Sequence, residues 1–160
     1  MNIVTERPQV PSDYGYATGP KGMLEWEVVR EALTAAKVYW IGTIRPDGAP
    51  HVHPIWGGWV GHHLYFEGGE TTRWAKNLAK DPRVGFGAEV GGLHISGRGV
   101  AERAPAGDDF EALVANYGSK YQYKPQTDAF CKVTPDAVIA IDMTSLEDFA
   151  SSPTRFRFEK

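Results

Sequence analysis

The chain has 160 residues, 42% of them hydrophobic and 23% charged, a size and composition that fit one globular domain. Its net charge of −3 predicts neither nucleic acid nor an anionic membrane as a partner. The single cysteine, Cys131, excludes an internal disulfide, and no apolar run approaches the ~18 residues of a membrane span. With no signal-like apolar segment at the start, these features predict a cytoplasmic protein.

The first half of the chain predicts an irregular arm, a helix and a three-stranded meander. Prolines and glycines in residues 1–20 indicate an N-terminal arm, so the folded domain is expected to span residues 21–160. Apolar residues at spacings of three and four predict a helix over residues 22–37. Aromatic and β-branched runs, separated by glycine-rich turns, predict strands over residues 38–44, 51–56 and 63–67.

The second half predicts further strands with helices between them. A short helix is expected over residues 71–80, and it ends at Asp81 because the following proline disfavours the α region. The same patterns predict strands over 83–89, 93–103, 137–142 and 154–158, a helix over 105–117 and a loop over 120–128. Six or more strands in mostly sequential order favour a mainly β, α+β fold, a closed or half-closed antiparallel barrel.

The segment from Thr71 to Asn77 carries the first candidate site. Thr71 and Thr72 stand at a predicted helix start, where free N–H groups and a partial positive charge attract anions. Arg73 and Lys76 are three residues apart and therefore share a helix face. Alone, this pattern favours a capped amphipathic helix with solvated basic side chains. Its position directly after an aromatic meander and directly before Asp-Pro-Arg-Val favours a phosphate site.

The returning strand of the meander carries the second candidate site. His51 and His53 are two residues apart on one strand and point the same way, which would suit a metal only if a third ligand converged. No carboxylate or cysteine cluster stands at metal-site spacing, so no metal site is expected. The following Pro54-Ile55-Trp56 is typical of a flat apolar platform. The nearby aromatic residues fit a pocket for a planar cofactor as well as an aromatic core or dimer interface.

Three groups of segments carry a resemblance to a known family. They are Trp40–Ile44 with Pro46–His51 and Pro54–Trp56; Thr71–Arg73 with Lys76–Leu78 and Asp81–Val84; and Pro153–Phe158. The first two look like the opening hairpin and the phosphate-side helix of the pyridoxamine-phosphate-oxidase-like split barrels. The third is similar to the tail of the flavin/deazaflavin oxidoreductase branch. The resemblance covers about residues 28–158.

The resemblance implies a homodimer of six-stranded antiparallel split β-barrels with peripheral helices and two cofactor clefts between the subunits. Family members use FMN or the deazaflavin coenzyme F-420, and a few bind haem. By position, the residues implied at the cofactor phosphate are Thr71, Thr72, Arg73, Lys76 and Asn77. Those implied beside the ring are His53, Pro54, Ile55 and Trp56, with Arg155 near the second subunit's cofactor. The tail lacks the additional Arg and His of pyridoxamine phosphate oxidases, so pyridoxamine phosphate is not the expected substrate. The basic helix face and the Asp-Pro-Arg-Val form look more like the deazaflavin-using branch, so coenzyme F-420 is favoured over FMN.

The function implied is hydride transfer between coenzyme F-420, or FMN, and a small conjugated or aromatic organic molecule. The cofactor would carry that chemistry, and the candidate proton donors are His53, Tyr65 and Tyr121. Two alternatives stay open. Five histidines suit a haem-binding or haem-degrading split barrel, and a cofactor-binding module without enzymatic activity would need the same phosphate site.

Overall fold

The computed structural model describes residues 1–126 and 128–159, which form nine strands and four α-helices. The strands are β1 Asn2–Glu6, β2 Tyr39–Ile44, β3 Pro50–Ile55, β4 Gly58–Val60, β5 His63–Phe66, β6 Arg83–Val90, β7 Leu93–Pro105, β8 Ala129–Asp142 and β9 Thr154–Glu159. The helices are α1 Trp26–Ala35, α2 Arg73–Leu78, α3 Phe110–Tyr121 and α4 Leu146–Ser151.

The strands form one curled antiparallel sheet in the order β1-β9-β8-β7-β6-β2-β3. The first part of β8 pairs with β5, where Val133 lies opposite Leu64, and the last part pairs with β9, where Ala137 lies opposite Arg157. The short β4 pairs with β5. Because β8 pairs with β5 along one half and with β9 along the other, the sheet curls without closing. This confirms the prediction of a mainly β, antiparallel split barrel.

The change of partner along β8 coincides with a bulge in β8 itself, where Asp136 is the extra residue. The register shifts between Arg98 and Gly99, where Gly99 lies opposite Pro135. Pro135 has no N–H to give to a ladder, and a Cβ on Gly99 would lie 2.1 Å from the Thr134 carbonyl oxygen, so the close approach needs glycine. Bulges bend a strand and increase its twist, which here lets β8 leave β5 and reach β9.

The prediction of an irregular N-terminal arm is wrong for its first residues. Strand β1 pairs with β9 along its whole length, from Asn2 opposite Glu159 onward. The interpretation gave weight to prolines and glycines and overlooked Ile3 and Val4, whose pairing partners stand at the other end of the chain. Beyond the strand, the Arg7 guanidinium donates hydrogen bonds to four backbone carbonyls, which hold the rest of the arm against the fold.

Several predicted boundaries also need correction. Helix α2 is shorter than the predicted 71–80, and α3 spans 110–121 rather than 105–117 because Pro105 still belongs to β7 and Gly118 does not end the helix. The turn expected at residues 57–61 contains β4, residues 129–136 extend β8, and α4 was not predicted. Thr127, within the predicted 120–128 loop, and Lys160, at the end of the predicted domain, lie outside the described residues.

The core has one large and one small part. The large cluster packs α1 against the inner face of the sheet and includes the fully buried Leu33 and Ile41, while the small cluster under α3 includes Leu113 and Phe130. Cys131 is buried, and burial raises the pKa of its thiol to about 12. Within the residues described, no helix combines the length and apolarity needed to cross a membrane.

Candidate functional site

A cleft of about 420 Å³ opens where the end of β3 faces the start of α2, within the range of roughly 300–1,000 Å³ that ligand pockets occupy. Three parts of the chain line it: the end of β3, the link from β5 to α2, and the end of α3 with the residues after it. The lining residues are His53, Pro54, Ile55, Trp56, Glu67, Gly68, Thr72, Trp74, Tyr117 and Tyr123. The structure therefore brings together five residues singled out in the sequence, at His53–Trp56 and Thr72.

The β3 wall presents aromatic surface to the cleft. Strand β3 ends the strand order, and the buried Ile55 anchors it opposite Tyr39. Trp56 follows the strand, is 56% exposed, and stacks in parallel on Tyr121 at a centroid distance of 4.5 Å. His53 stacks on His51 at 6.1 Å, as expected for residues two apart on a strand. The wall offers a flat ring face that a planar ligand could cover.

The α2 wall is capped by a threonine. The Thr72 hydroxyl donates to the Gly69 carbonyl at 2.9 Å and accepts from the Ala75 N–H at 3.3 Å, a standard N-cap. The helix begins at Arg73, so Thr71 belongs to the preceding turn and is exposed. The Thr72 hydroxyl proton is already donated to the Gly69 carbonyl. Arg73 and Lys76 are therefore the principal groups on α2 that could bind an anion.

Arg73 and Lys76 lie on the exposed side of α2, while Trp74 and Leu78 are buried. Neither basic side chain makes an ion pair within residues 1–126 and 128–159. Arg73 and Lys76 do not line the cleft themselves, but they lie next to Thr72 on the helix, and Thr72 does line the cleft. A phosphate at this rim would meet two cations that no described carboxylate neutralises.

Asn77 does not lie where the resemblance implied. Its side chain is 0% exposed and donates from Nδ2 to the Thr43 hydroxyl at 3.0 Å. Its Oδ1 is buried and has no hydrogen-bond partner among the described residues. Asn77 follows Trp74 by three residues and so belongs to the buried stripe of α2. Its side chain holds α2 against β2 and is buried away from the exposed face of α2 that carries Arg73 and Lys76.

Two of the three expected proton donors are also placed differently. Tyr65 is fully buried in the small cluster and donates to the Asp109 carboxylate at 2.6 Å; burial raises its pKa. The Tyr121 hydroxyl is engaged by backbone groups of Gly57 and Lys37, and burial raises its pKa as well. Neither residue lines the cleft. Of the three, His53 alone is in position.

Glu67 lines the cleft and was not singled out in the sequence. Burial raises the pKa of its carboxyl, and a hydrogen bond with Tyr123 partly offsets that shift. The sequence did carry a signal, because Glu67 directly follows the apolar run Leu64–Phe66 and directly precedes Gly68. The cleft therefore offers one carboxyl, Glu67, and one imidazole, His53, as groups that could exchange a proton with a ligand.

Arg155 lies on the outer face of the sheet, away from the cleft of its own chain. It borders a separate cavity of about 400 Å³ together with Arg98 and Ser96, and its Nε is 3.5 Å from the Glu6 carboxylate. The expected position beside a second subunit's cofactor stays a prediction. Among the described residues, no three His, Cys, Asp or Glu side chains converge as a metal site.

The comparisons with known proteins support the fold. The family model of pyridoxamine 5'-phosphate oxidase matches residues 26–145, and no curated protein matches the sequence. A solved F420 reductase is similar at 22% identity, with a TM-score of 0.55, covering 75% of this chain and 98% of that one.

Two mycobacterial structures are also similar. A conserved hypothetical protein from Mycobacterium tuberculosis has 22% identity and a TM-score of 0.64, covering 78% of this chain and 89% of that one. A haem-binding protein from Mycobacterium smegmatis has 19% identity and a TM-score of 0.62, covering 85% of this chain and 63% of that one. Identities at this level show a shared fold.

Proposed function

Because this chain belongs to the pyridoxamine 5'-phosphate oxidase family, we propose that it is an oxidoreductase that transfers hydride between coenzyme F-420, or FMN, and a small conjugated or aromatic molecule. One observation supports the proposal: a single cleft joins the aromatic wall at His53–Trp56 to Thr72, the N-cap of α2. The exposed Arg73 and Lys76 follow on the same short helix and make no ion pair among the described residues. A flavin or deazaflavin has the matching chemistry, with a planar ring at one end and a phosphate at the other.

The residues of the cleft fit such a group. The face of Trp56 and the neighbouring Pro54 would pack on the ring, since aromatic surface binds flat ligands well. Arg73 and Lys76 would pair with the phosphate, because charge-assisted bonds are the strong ones. The similarity to a solved F420 reductase supports coenzyme F-420 over FMN.

The bound cofactor would supply the hydride chemistry. The protein would supply orientation, a partly dry cleft and a proton. His53 and Glu67 are the imidazole and the carboxyl of the cleft lining, and we assign the proton to one of them in place of Tyr65 and Tyr121. The buried Tyr39, opposite Ile55 in the sheet, keeps the β3 wall in register, so the ring-binding face is built before any ligand arrives.

We further propose that the active form is a homodimer. The outer sheet face carries three large exposed apolar residues: Trp40 at 53%, Val52 at 61% and Met143 at 43%. Strand pairing places Gly87 beside Trp40 and Gly42 beside Val52, so these two neighbours have no side chain to cover the apolar residues. Apolar surface of this kind marks interaction sites. Trp40→Glu should give a folded monomer in analytical ultracentrifugation; an unchanged dimer, or a wild type that is monomeric, would contradict the proposal.

The experiment for the catalytic proposal is a turnover assay. Reduced coenzyme F-420, or reduced FMN, is mixed with the protein and a panel of quinones and conjugated enones, and cofactor oxidation is followed by absorbance. We expect oxidation that depends on both the protein and an acceptor. Tight binding without turnover of any acceptor would favour the non-enzymatic module, and binding of neither cofactor at tens of micromolar would refute the proposal.

A haem-binding function is the second candidate. The similarity to a haem-binding protein and the parallel stack of His51 on His53 favour it, because His53 lines the cleft and could ligate iron. Titration with haem should then give a Soret band that is lost in His53→Ala. No Soret band, or a band unaffected by both His51→Ala and His53→Ala, would exclude this site for haem.

A further inference from the structure

Side chains from the last turn of α3 hydrogen-bond to the backbone of Gly57, shortly after β3. Lys120 Nζ donates to the Gly57 carbonyl at 2.6 Å, and the Gly57 N–H donates to the Tyr121 hydroxyl at 3.1 Å. The Tyr121 hydroxyl also lies 2.9 Å from the Gly57 carbonyl and 3.0 Å from the Lys37 carbonyl, and it donates to one of the two. The Tyr117 hydroxyl lies 3.5 Å from the Trp56 carbonyl. Both polar groups of Gly57 are therefore held from one helix.

Lys120 ties this helix turn to two other elements. Its ammonium donates to the Ala36 carbonyl at 2.8 Å, just after α1, and lies 3.4 Å from the Tyr39 hydroxyl on β2. It also sits 5.2 Å and 5.3 Å from the ring centroids of Tyr39 and Tyr121, within cation–π range. The three N–H groups of the ammonium therefore each have an acceptor. This is unusual for a lysine, whose charged group normally stays in water.

The backbone at Gly57 is also closely packed against its neighbours. A Cβ on Gly57 would lie 2.9 Å from the Tyr65 carbonyl oxygen and 3.1 Å from both Leu64 and Tyr39 side-chain atoms. The backbone at Gly57 is therefore wedged between β2 and β5, and its hydrogen bonds fix its orientation. Trp56, one residue earlier, is 56% exposed. Its indole stacks on the parallel ring of Tyr121, and the ring of Tyr123 lies tilted against it at a centroid distance of 6.5 Å.

We propose that Lys120 and Tyr121 are positioning residues that hold the Trp56 indole in the orientation that binds the cofactor ring. Lys120 fixes the Gly57 carbonyl, Tyr121 fixes both the Gly57 peptide and the indole plane, and neither residue lines the cleft. The ring-binding surface is thus preorganised from behind, which lowers the entropic cost of binding. This inference rests on the proposed function, and it adds residues that the cleft itself does not reveal.

A double-mutant cycle separates positioning from a general structural role. The variants are Lys120→Met, which keeps most of the aliphatic stem, and Trp56→Ala, alone and together, with Lys124→Met at an exposed position as the matched control. FMN and coenzyme F-420 affinities are measured by equilibrium titration. We expect Lys120→Met to weaken binding about tenfold when Trp56 is present and less than about twofold in the Trp56→Ala background. Equal losses in both backgrounds would overturn the proposal.

Tyr121→Phe provides a second variant if Lys120→Met does not fold. It keeps the stacked ring and removes only the hydroxyl, so it should weaken binding by a smaller factor that also disappears in the Trp56→Ala background. A loss that persists there would overturn the proposal for Tyr121.

A cofactor-free readout keeps this test distinct from the proposed function. Acrylamide quenching of Trp56 is obtained as the difference between proteins with Trp56 and with Trp56→Phe. Lys120→Met should raise the quenching constant of Trp56, and Lys124→Met should not. If the wild type binds neither cofactor, the proposed function fails while quenching still decides the positioning role. Unchanged quenching in Lys120→Met and in Tyr121→Phe would overturn it.

Discussion

Substitution of Asn77 by alanine should destabilise the fold without weakening cofactor binding. The change removes the 3.0 Å hydrogen bond from Nδ2 to the Thr43 hydroxyl, worth about 1 kcal/mol net. Because that hydroxyl is 2% exposed and would be left without its donor, the cost rises to about 2 kcal/mol, within the range of about 1–3 kcal/mol for a buried polar group left unsatisfied. The amide Oδ1 already has no partner among the described residues, so losing it adds no cost.

The expected total is a loss of about 2 kcal/mol in the free energy of unfolding, or about 4–8 °C in Tm for a chain of this size. Urea denaturation measures the free energy, with an unchanged m-value as the check that compactness is preserved. Lys80→Ala, in the exposed turn after α2, is the control and should change neither stability nor affinity. Unchanged stability in Asn77→Ala together with a cofactor Kd raised about tenfold would refute this reasoning and restore Asn77 as a ligand.

Three further predictions concern the walls of the cleft and the pH dependence of the protein. Gly68→Ala should cost about 1–3 kcal/mol of stability in urea denaturation, because its Cβ would lie 2.3 Å from the Trp74 ring. Gly69→Ala should be neutral, because its Cβ would meet only the Thr71 hydroxyl, at an ordinary contact distance of 3.8 Å. Burial lowers the pKa of Lys120 from 10.5 to about 8. Between these two pH values the unfolded chain binds more protons than the folded one, so the free energy of unfolding should rise with pH. Lys120→Met should show a smaller rise, and equal slopes in the two proteins would contradict the lowered pKa of Lys120. Glu67→Gln should tighten FMN binding by about 1 kcal/mol near neutral pH by removing a like charge, and the gap to wild type should close as pH falls towards the raised pKa of Glu67; a gap that does not change with pH would contradict it.

Local sequence patterns predicted the strands and the antiparallel sheet because those depend on short-range alternation. The strand 38–44 and its partner 51–56 were recognisable from aromatic and β-branched runs around a Pro-Asp-Gly turn, and they match β2 and β3 closely. The same hairpin delivers His53–Trp56 to the cleft, so this part of the site could be predicted. By contrast, β1 was missed because its stability comes from pairing with β9, which no local pattern reports.

Site residues were misplaced where a side chain's partner, rather than its type, decides its role. Tyr65 and Tyr121 both carry hydroxyls that suit proton transfer, but Asp109 and the Gly57 peptide respectively occupy them. Lys120 stood in a predicted loop, and only the extension of α3 past Gly118 places its ammonium at three acceptors. Sequence spacing cannot show which backbone carbonyls converge on a lysine from distant elements.

Equilibrium titration of the wild type and of rim variants with coenzyme F-420 and FMN tests the central claim most directly. The claim is that Arg73 and Lys76 hold the cofactor phosphate while Trp56 packs on the ring. We predict that the wild type binds at least one of the two cofactors and that Arg73→Ala and Lys76→Ala each lose about 1.5–3 kcal/mol, with Lys80→Ala unchanged. No binding of either cofactor, or unchanged affinity in both rim variants, would contradict the account.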